Sequence, residues 1–70
     1  KTDFRRAKLR KADLSWSDLR LTDLSEVNFA HAKFEATDFQ GANLRWANLQ
    51  EVDLSKADLR DADLEGAIRD

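Results

Sequence analysis

The sequence predicts an all-β fold of the solenoid class, a single domain over residues 1–70, and three observations carry that expectation. Leu or Phe occupies positions 4, 9, 14, 19, 24, 29, 34, 39, 44, 49, 54, 59 and 64 without a gap. A small or β-branched residue stands two places before each of them, from Thr2 and Ala7 through Ala57 and Ala62, and Ala67 keeps the spacing once more. The residue between is Asp or Asn except at Lys8 and Lys33. Self-similarity at a short fixed period marks a chain built from one repeated structural unit, so the repeat governs everything read after it.

A period of five selects the backbone by exclusion. On an α-helix, positions five apart step by about 140° and scatter around the cylinder instead of forming an apolar stripe. In extended chain, residues two apart share a face, so Ala12 and Leu14 point inward while Asp13 points out. Ser15 and Trp16 then remain to turn a corner. Each pentad is one short extended side followed by a bend, and closure after four sides sets residues twenty apart in register one layer up. Regular packing has to be the stabilising device. Seventy residues are too few for a large core, and with no cysteine there is neither a disulfide nor a thiolate metal site to staple it.

The stretch ANLRWANLQEVDLSKADLRDADLEGA repeats Ala-(Asp/Asn)-Leu followed by two variable residues, and from residue 2 to 66 the chain resembles the pentapeptide-repeat family. The resemblance implies a right-handed quadrilateral β-helix of about three and a half coils, four pentads to a coil, with the central Leu or Phe and the preceding small residue filling the interior. Both the handedness and the count of four sides to a coil rest on the resemblance. Gly41 and Gly66 both take the last place of a pentad and Pro is absent, so most corners must be made by ordinary residues.

Inside the coil, a small residue beside each large one is the alternation a narrow core needs to interdigitate. Phe29, Phe34 and Phe39 fall in consecutive pentads and are predicted to crowd one layer, which should widen or adjust its turns. As inward residues they read as core and not as a ligand pocket. Outside, residues twenty apart form ladders of alternating sign: Asp13, Lys33 and Asp53; Arg6 and Glu26; Lys11, His31 and Glu51; Arg45 and Glu65. Each exposed pair contributes about 0.2–1 kcal/mol. The column Asp18, Asp38, Asp58 does not alternate. Its carboxylates are expected to bond backbone groups at the turns, as Asp and Asn commonly do, and not to attract a cation.

No enzyme is expected. His31 is the only histidine, and no phosphate-binding glycine loop or spaced ligand set accompanies it, so no catalytic, cofactor or metal residue is assigned. The net charge of −2 argues against a nucleic-acid partner. No apolar run approaches membrane-spanning length, and a soluble, cytoplasmic chain with no membrane contact is expected. The expected role is that of a structural or protein-binding module with an unidentified protein partner. Trp16 and Trp46, outward at the ends of their pentads, are the expected protein contacts. The competing expectation is a ring lying flat on its own wall, with Arg6 and Glu26 in the column of Trp46. The alternative function is a DNA-mimicking inhibitor or protector of DNA gyrase. That role is implied by quinolone-resistance relatives with the size and negative surface of B-DNA, which are longer and more acidic than this chain.

The ends differ in charge. Residues 1–20 carry seven Lys or Arg against three Asp, a net of +4, and residues 51–70 carry three against seven acids, a net of −4. Arg5, Arg6, Lys8, Arg10 and Lys11 at one end, and Asp61, Asp63, Glu65 and Ile68 at the other, are therefore the expected contacts of a head-to-tail homo-oligomer. Arg69 stands where an inward Leu is due. The last strand is predicted to leave the coil before it, with Ile68 turning in to cover the open core as Phe4 helps to do at the start.

Overall fold

Three extended residues between two turn residues leave room for one pairing position per side, and the chain uses that position. In the computed structural model, which describes residues 4–69, parallel bridges join Lys8 to Asn28, Asp13 to Lys33, Asp18 to Asp38 and Asp23 to Asn43, and continue upward to Asn48 and Ile68. Every bridge spans twenty residues. Each rests on two hydrogen bonds: Asn28 N–H donates to the Ala7 carbonyl at 3.0 Å, and Leu9 N–H donates to the Asn28 carbonyl at 2.9 Å. The chain is thus a β-solenoid. Its pairing is a ladder of isolated bridges and not the continuous strands that an all-β label suggests, because each side is too short to hold more. The molecule measures 24 × 22 × 17 Å. The shortest extent suits three to four layers at the ~4.8 Å spacing of paired strands.

The corners follow from the same arithmetic. Ala12 N–H donates to the Leu9 carbonyl at 3.0 Å, Ala32 N–H to Phe29 at 2.9 Å and Ala42 N–H to Phe39 at 2.8 Å, closing the turns after these residues; after Leu19 the Thr22 hydroxyl makes the bond instead. The third residue of these turns, the second of the two corner residues, takes a left-handed conformation, as in a type II turn. Besides Gly41 and Gly66, ten ordinary residues do so, among them Trp16, Leu21, His31 and Ala36, with φ between 58° and 66°. An L side chain is strained in that region by about 1–2 kcal/mol. Replacing Ala36, exposed and at φ 59°, with Gly should therefore raise stability by about 0.5–1 kcal/mol, even after the added freedom of the unfolded chain is counted. A thermal melt checks this, with Ala62→Gly in extended backbone expected to lower the midpoint.

Asp and Asn hold the turns from the side. Their Oδ1 accepts the backbone N–H two residues on: Ser15 to Asp13 at 3.1 Å, Ala30 to Asn28 at 3.1 Å, Gln40 to Asp38 at 3.0 Å, Ser55 to Asp53 at 2.9 Å. Lys33 has no such acceptor. There the Ser15 hydroxyl of the coil below accepts the Glu35 N–H instead, at 3.1 Å.

The core sits in the middle coil. Leu24, Val27, Phe29, Phe34, Phe39, Leu44, Ala47 and Leu49 are buried, while Leu9, Leu14 and Leu19 on one side and Leu54, Leu59 and Leu64 on the other are only half-buried. Buried hydroxyls are satisfied: Thr22 Oγ1 donates to the Leu19 carbonyl at 2.6 Å and Thr37 Oγ1 to Leu14 at 2.8 Å. Phe34 stands edge-on to both Phe29 and Phe39, with ring centroids 4.9 Å apart in each pair.

The expected adjustment of that aromatic layer is visible in the wall above it. Among the described residues, Lys33 and Asp53 form no bridge, and neither Phe34 N–H nor Asp53 N–H has a backbone partner. Ala36 N–H donates to the Lys56 carbonyl at 3.0 Å, one residue beyond the register kept elsewhere. Lys56 is the one corner between Arg6 and Gly66 without positive φ. Register returns at Asp58, which bridges Asp38.

One expectation is overturned. Ile68 does not turn inward; it bridges Asn48 in the ordinary outward register and is 44% exposed, so the coil continues to it. Ile68 N–H donates to the Ala47 carbonyl at 2.9 Å and Leu49 N–H donates to the Ile68 carbonyl at 2.7 Å. Turning the side chain to the core would break both of these ladder bonds and leave their backbone groups unpaired. Phe4 remains half-buried at the opposite end.

Candidate functional site

The left-handed corners decide where the large exposed side chains go. Leu21, 66% exposed, leans along its column onto Gly41, where an added Cβ would stand 2.7 Å from Leu21 Cδ2. Trp46 does the same over Gly66, where a Cβ would run into the ring. Each glycine lies twenty residues after the side chain it accommodates, so its missing Cβ, as well as its φ of +72°, suits the site. Trp46 thus lies on its own wall, against the coil above, and stays 59% exposed. Trp16 is 79% exposed, on a different corner column half a coil away, so the two tryptophans do not form one surface. Leu21 and its glycine escaped the sequence reading. The signal was the matching spacing of twenty in Leu21–Gly41 and Trp46–Gly66.

Trp16 instead borders an open cleft of about 780 Å³ with His31, Lys33, Phe34, Asp53 and Lys56, over the interrupted part of the ladder. The aromatic layer beneath is sealed: Phe34 is 1% exposed, and Phe29 and Phe39 are fully buried.

The basic end is partly neutralised from within. Arg6 Nε donates to Glu26 Oε1 at 3.1 Å, as the ladder predicts, and Arg5 lies 3.8 Å from Asp23. Among the described residues no ion pair engages Lys8, Arg10 or Lys11. At the acidic end Asp63 pairs with Arg45 at 3.6 Å, where Glu65 was the expected partner, while Asp61 and Glu65 are exposed corner residues. Glu65 N–H is bound to Asp63 Oδ1 at 3.1 Å, which sets the Asp63 carboxylate on the wall toward Arg45.

The Asp18, Asp38, Asp58 column carries arginines along with its carboxylates. Arg20 forks onto Asp18 at 2.9 and 2.8 Å and lies 3.8 Å from Asp38, and Arg60 forks onto Asp58 at 3.0 and 2.7 Å. Among the described residues no cluster of His, Cys, Asp or Glu is arranged to hold a metal ion. The Arg20 side chain, with its backbone N–H, lowers Asp18 from the usual 3.8 to about 2. Asp58 is lowered by Arg60 in the same way, and Asp13 and Asp53 by hydrogen bonds from Ser15 and Ser55. A carboxylate depressed in the folded state contributes stability above its unfolded pKa and loses it as pH falls through the folded one. The melting midpoint should accordingly hold from neutral pH down to about 4 and fall between about 4 and 2. Asp18→Asn keeps the turn bond but removes the charge, so it should flatten that fall; an unchanged acid slope would show that the pair adds nothing.

No helix among the described residues is long and apolar enough to cross a membrane. A sequence profile described as pentapeptide repeats matches residues 1–25 and 28–66, in eight copies. Among solved structures, the crystal structure of a pentapeptide repeat protein from Nostoc Pcc 7120, determined at 1.7 Å resolution, is similar at 26% identity. The alignment covers 97% of this chain and 84% of that one, with a TM-score of 0.44. Comparison with curated proteins returns no match.

Proposed function

Because the chain belongs to the pentapeptide-repeat family, we propose that it is a right-handed quadrilateral β-solenoid acting as a non-catalytic structural and protein-binding module, whose partner is a second copy docked head to tail. The observation that supports this is the pairing of half-buried leucines with opposite charge at the two end coils. Leu9, Leu14 and Leu19 lie among Lys8, Arg10 and Lys11, which form no ion pair among the described residues, while Leu54, Leu59 and Leu64 lie among Asp61, Asp63 and Glu65. An open coil end presents unpaired backbone edges and apolar side chains, which is a template for another coil. Opposite charges favour head-to-tail docking over head-to-head, and the apolar area removed from water contributes about 25 cal/mol per Å². Ile68, exposed at the acidic end, adds to that area. Trp46, leaning over Gly66 in the last coil, stands at its rim.

A gyrase-directed DNA mimic is less well supported. Its walls would need continuous negative charge, whereas here Lys33 stands between Asp13 and Asp53, and Arg20 and Arg60 are set among Asp18, Asp38 and Asp58. Light scattering tests the proposal. Association should grow with concentration and weaken as salt rises from about 0.02 to 0.5 M, because screening shortens the attraction. Lys8→Glu combined with Lys11→Glu should abolish it. A strict monomer at about millimolar concentration in low salt would overturn the proposal.

A further inference from the structure

We infer that residues 51–55 form a strap that lifts from the wall independently of the rest of the solenoid, and that Phe34 sets this weakness. On the coil below, the strap is tied at its flanks, where His31 N–H donates to the Gln50 carbonyl at 2.9 Å and Ala36 N–H donates to the Lys56 carbonyl at 3.0 Å. Between those ties, no backbone hydrogen bond joins the two coils. At the equivalent positions on neighbouring walls the bonds are present: Phe29 N–H donates to Asn48 at 2.9 Å and Phe39 N–H to Asp58 at 2.8 Å. Phe34 N–H is therefore an orphan donor in a residue only 1% exposed, a costly arrangement that something must offset.

The offset is the ring. Phe34 is the middle member of the aromatic layer and stands edge-on to two partners, at interplanar angles of 88° and 79°, where Phe29 and Phe39 each have one. The wall above yields, Leu54 stays half-buried, and the Lys56 corner loses the left-handed conformation of the other corners. Across the gap the remaining tie is Lys56 Nζ to Glu35 Oε2 at 3.8 Å, between two exposed side chains. Few backbone bonds and little buried apolar contact define a segment that opens below the global unfolding free energy. Opening turns the cleft beside Trp16 into an entrance to the aromatic layer.

Native-state hydrogen exchange of the whole chain tests this. Protection at Val52 and Ala57, whose N–H groups donate to the Leu49 and Leu54 carbonyls at 3.2 and 3.1 Å, should be at least tenfold lower than at Ala62 and Ala67, which close the next turns of the same edge at 3.0 Å, and Phe34→Leu should raise protection at Val52 and Ala57 at least tenfold by letting the ladder close. Equal protection of Val52, Ala57, Ala62 and Ala67 in the unaltered chain would overturn the strap, whether or not the variant folds. A Phe34→Leu chain that folds but leaves Val52 and Ala57 fast would overturn the assignment to Phe34. Thermal melts give a second arm. If the ring contacts were all that mattered, Phe34→Leu would be the most damaging of the three Phe→Leu changes; recovered ladder bonds should make it the mildest.

Discussion

Leu44→Ala should lower stability by about 2–5 kcal/mol, against a total of about 5–15 kcal/mol for a domain. Leu44 is fully buried, in register with Leu24 in the coil below and Leu64 in the coil above. Truncating it loses the transfer free energy of the side chain and leaves a cavity that a ladder-bonded wall cannot collapse into. The damage also travels. In a solenoid each repeat is held by its neighbours, so a void between coils weakens the interface on both sides. Gln50→Ala, exposed on the adjoining pentad, should stay within about 0.5 kcal/mol. The melting midpoints of the two variants should therefore differ by about 10 °C or more, and equal midpoints would show that the inward register is wrong.

Ala47→Leu should fail for the opposite reason. Ala47 is fully buried between Val27 and Ala67 of the adjacent coils, in the row where small residues make room for the large ones two places on. A leucine there overfills the layer, at a cost of about 1–3 kcal/mol. The interrupted ladder above Phe34 is what such crowding is expected to produce, with bonds between coils given up where the layer is overfilled. Ala67→Leu, half-buried in the last coil, should be tolerated far better. An Ala47→Leu chain with an unchanged midpoint would mean that the interior is not close-packed.

The inward register was legible because it is written in the spacing itself. A Leu or Phe every fifth residue has one solution in short extended sides, and the burial of Leu24, Leu44 and Leu49 follows from it. The role of Asp and Asn was legible for a similar reason, since a side-chain oxygen two residues before a turn N–H has that bond within reach. Ile68 was misread because side-chain hydropathy was weighed without the backbone ladder that pins its residue. Arg45 was assigned Glu65 on column position, but the turn bond to Asp63 brings a different carboxylate to it. Aromatic crowding was foreseen, yet which wall would yield depended on Phe34 being the ring with neighbours on both sides. The lean of Leu21 and Trp46 onto glycines followed only once the corners were seen to be left-handed. For the candidate contacts, the sequence identified the exposed residues but not their surroundings. It placed Trp16 outward without revealing the cleft beside it.

The central claim is that one turn of the coil takes twenty residues, and through-hydrogen-bond NMR couplings between amide nitrogens and carbonyl carbons test it most directly. Asn28, Asn43, Asn48 and Asp63 N–H should couple to the carbonyls of Ala7, Thr22, Val27 and Ala42, each twenty-one residues earlier. Coupling of these four amides to carbonyls at any other separation, or only to neighbours within a helix, would contradict the fold.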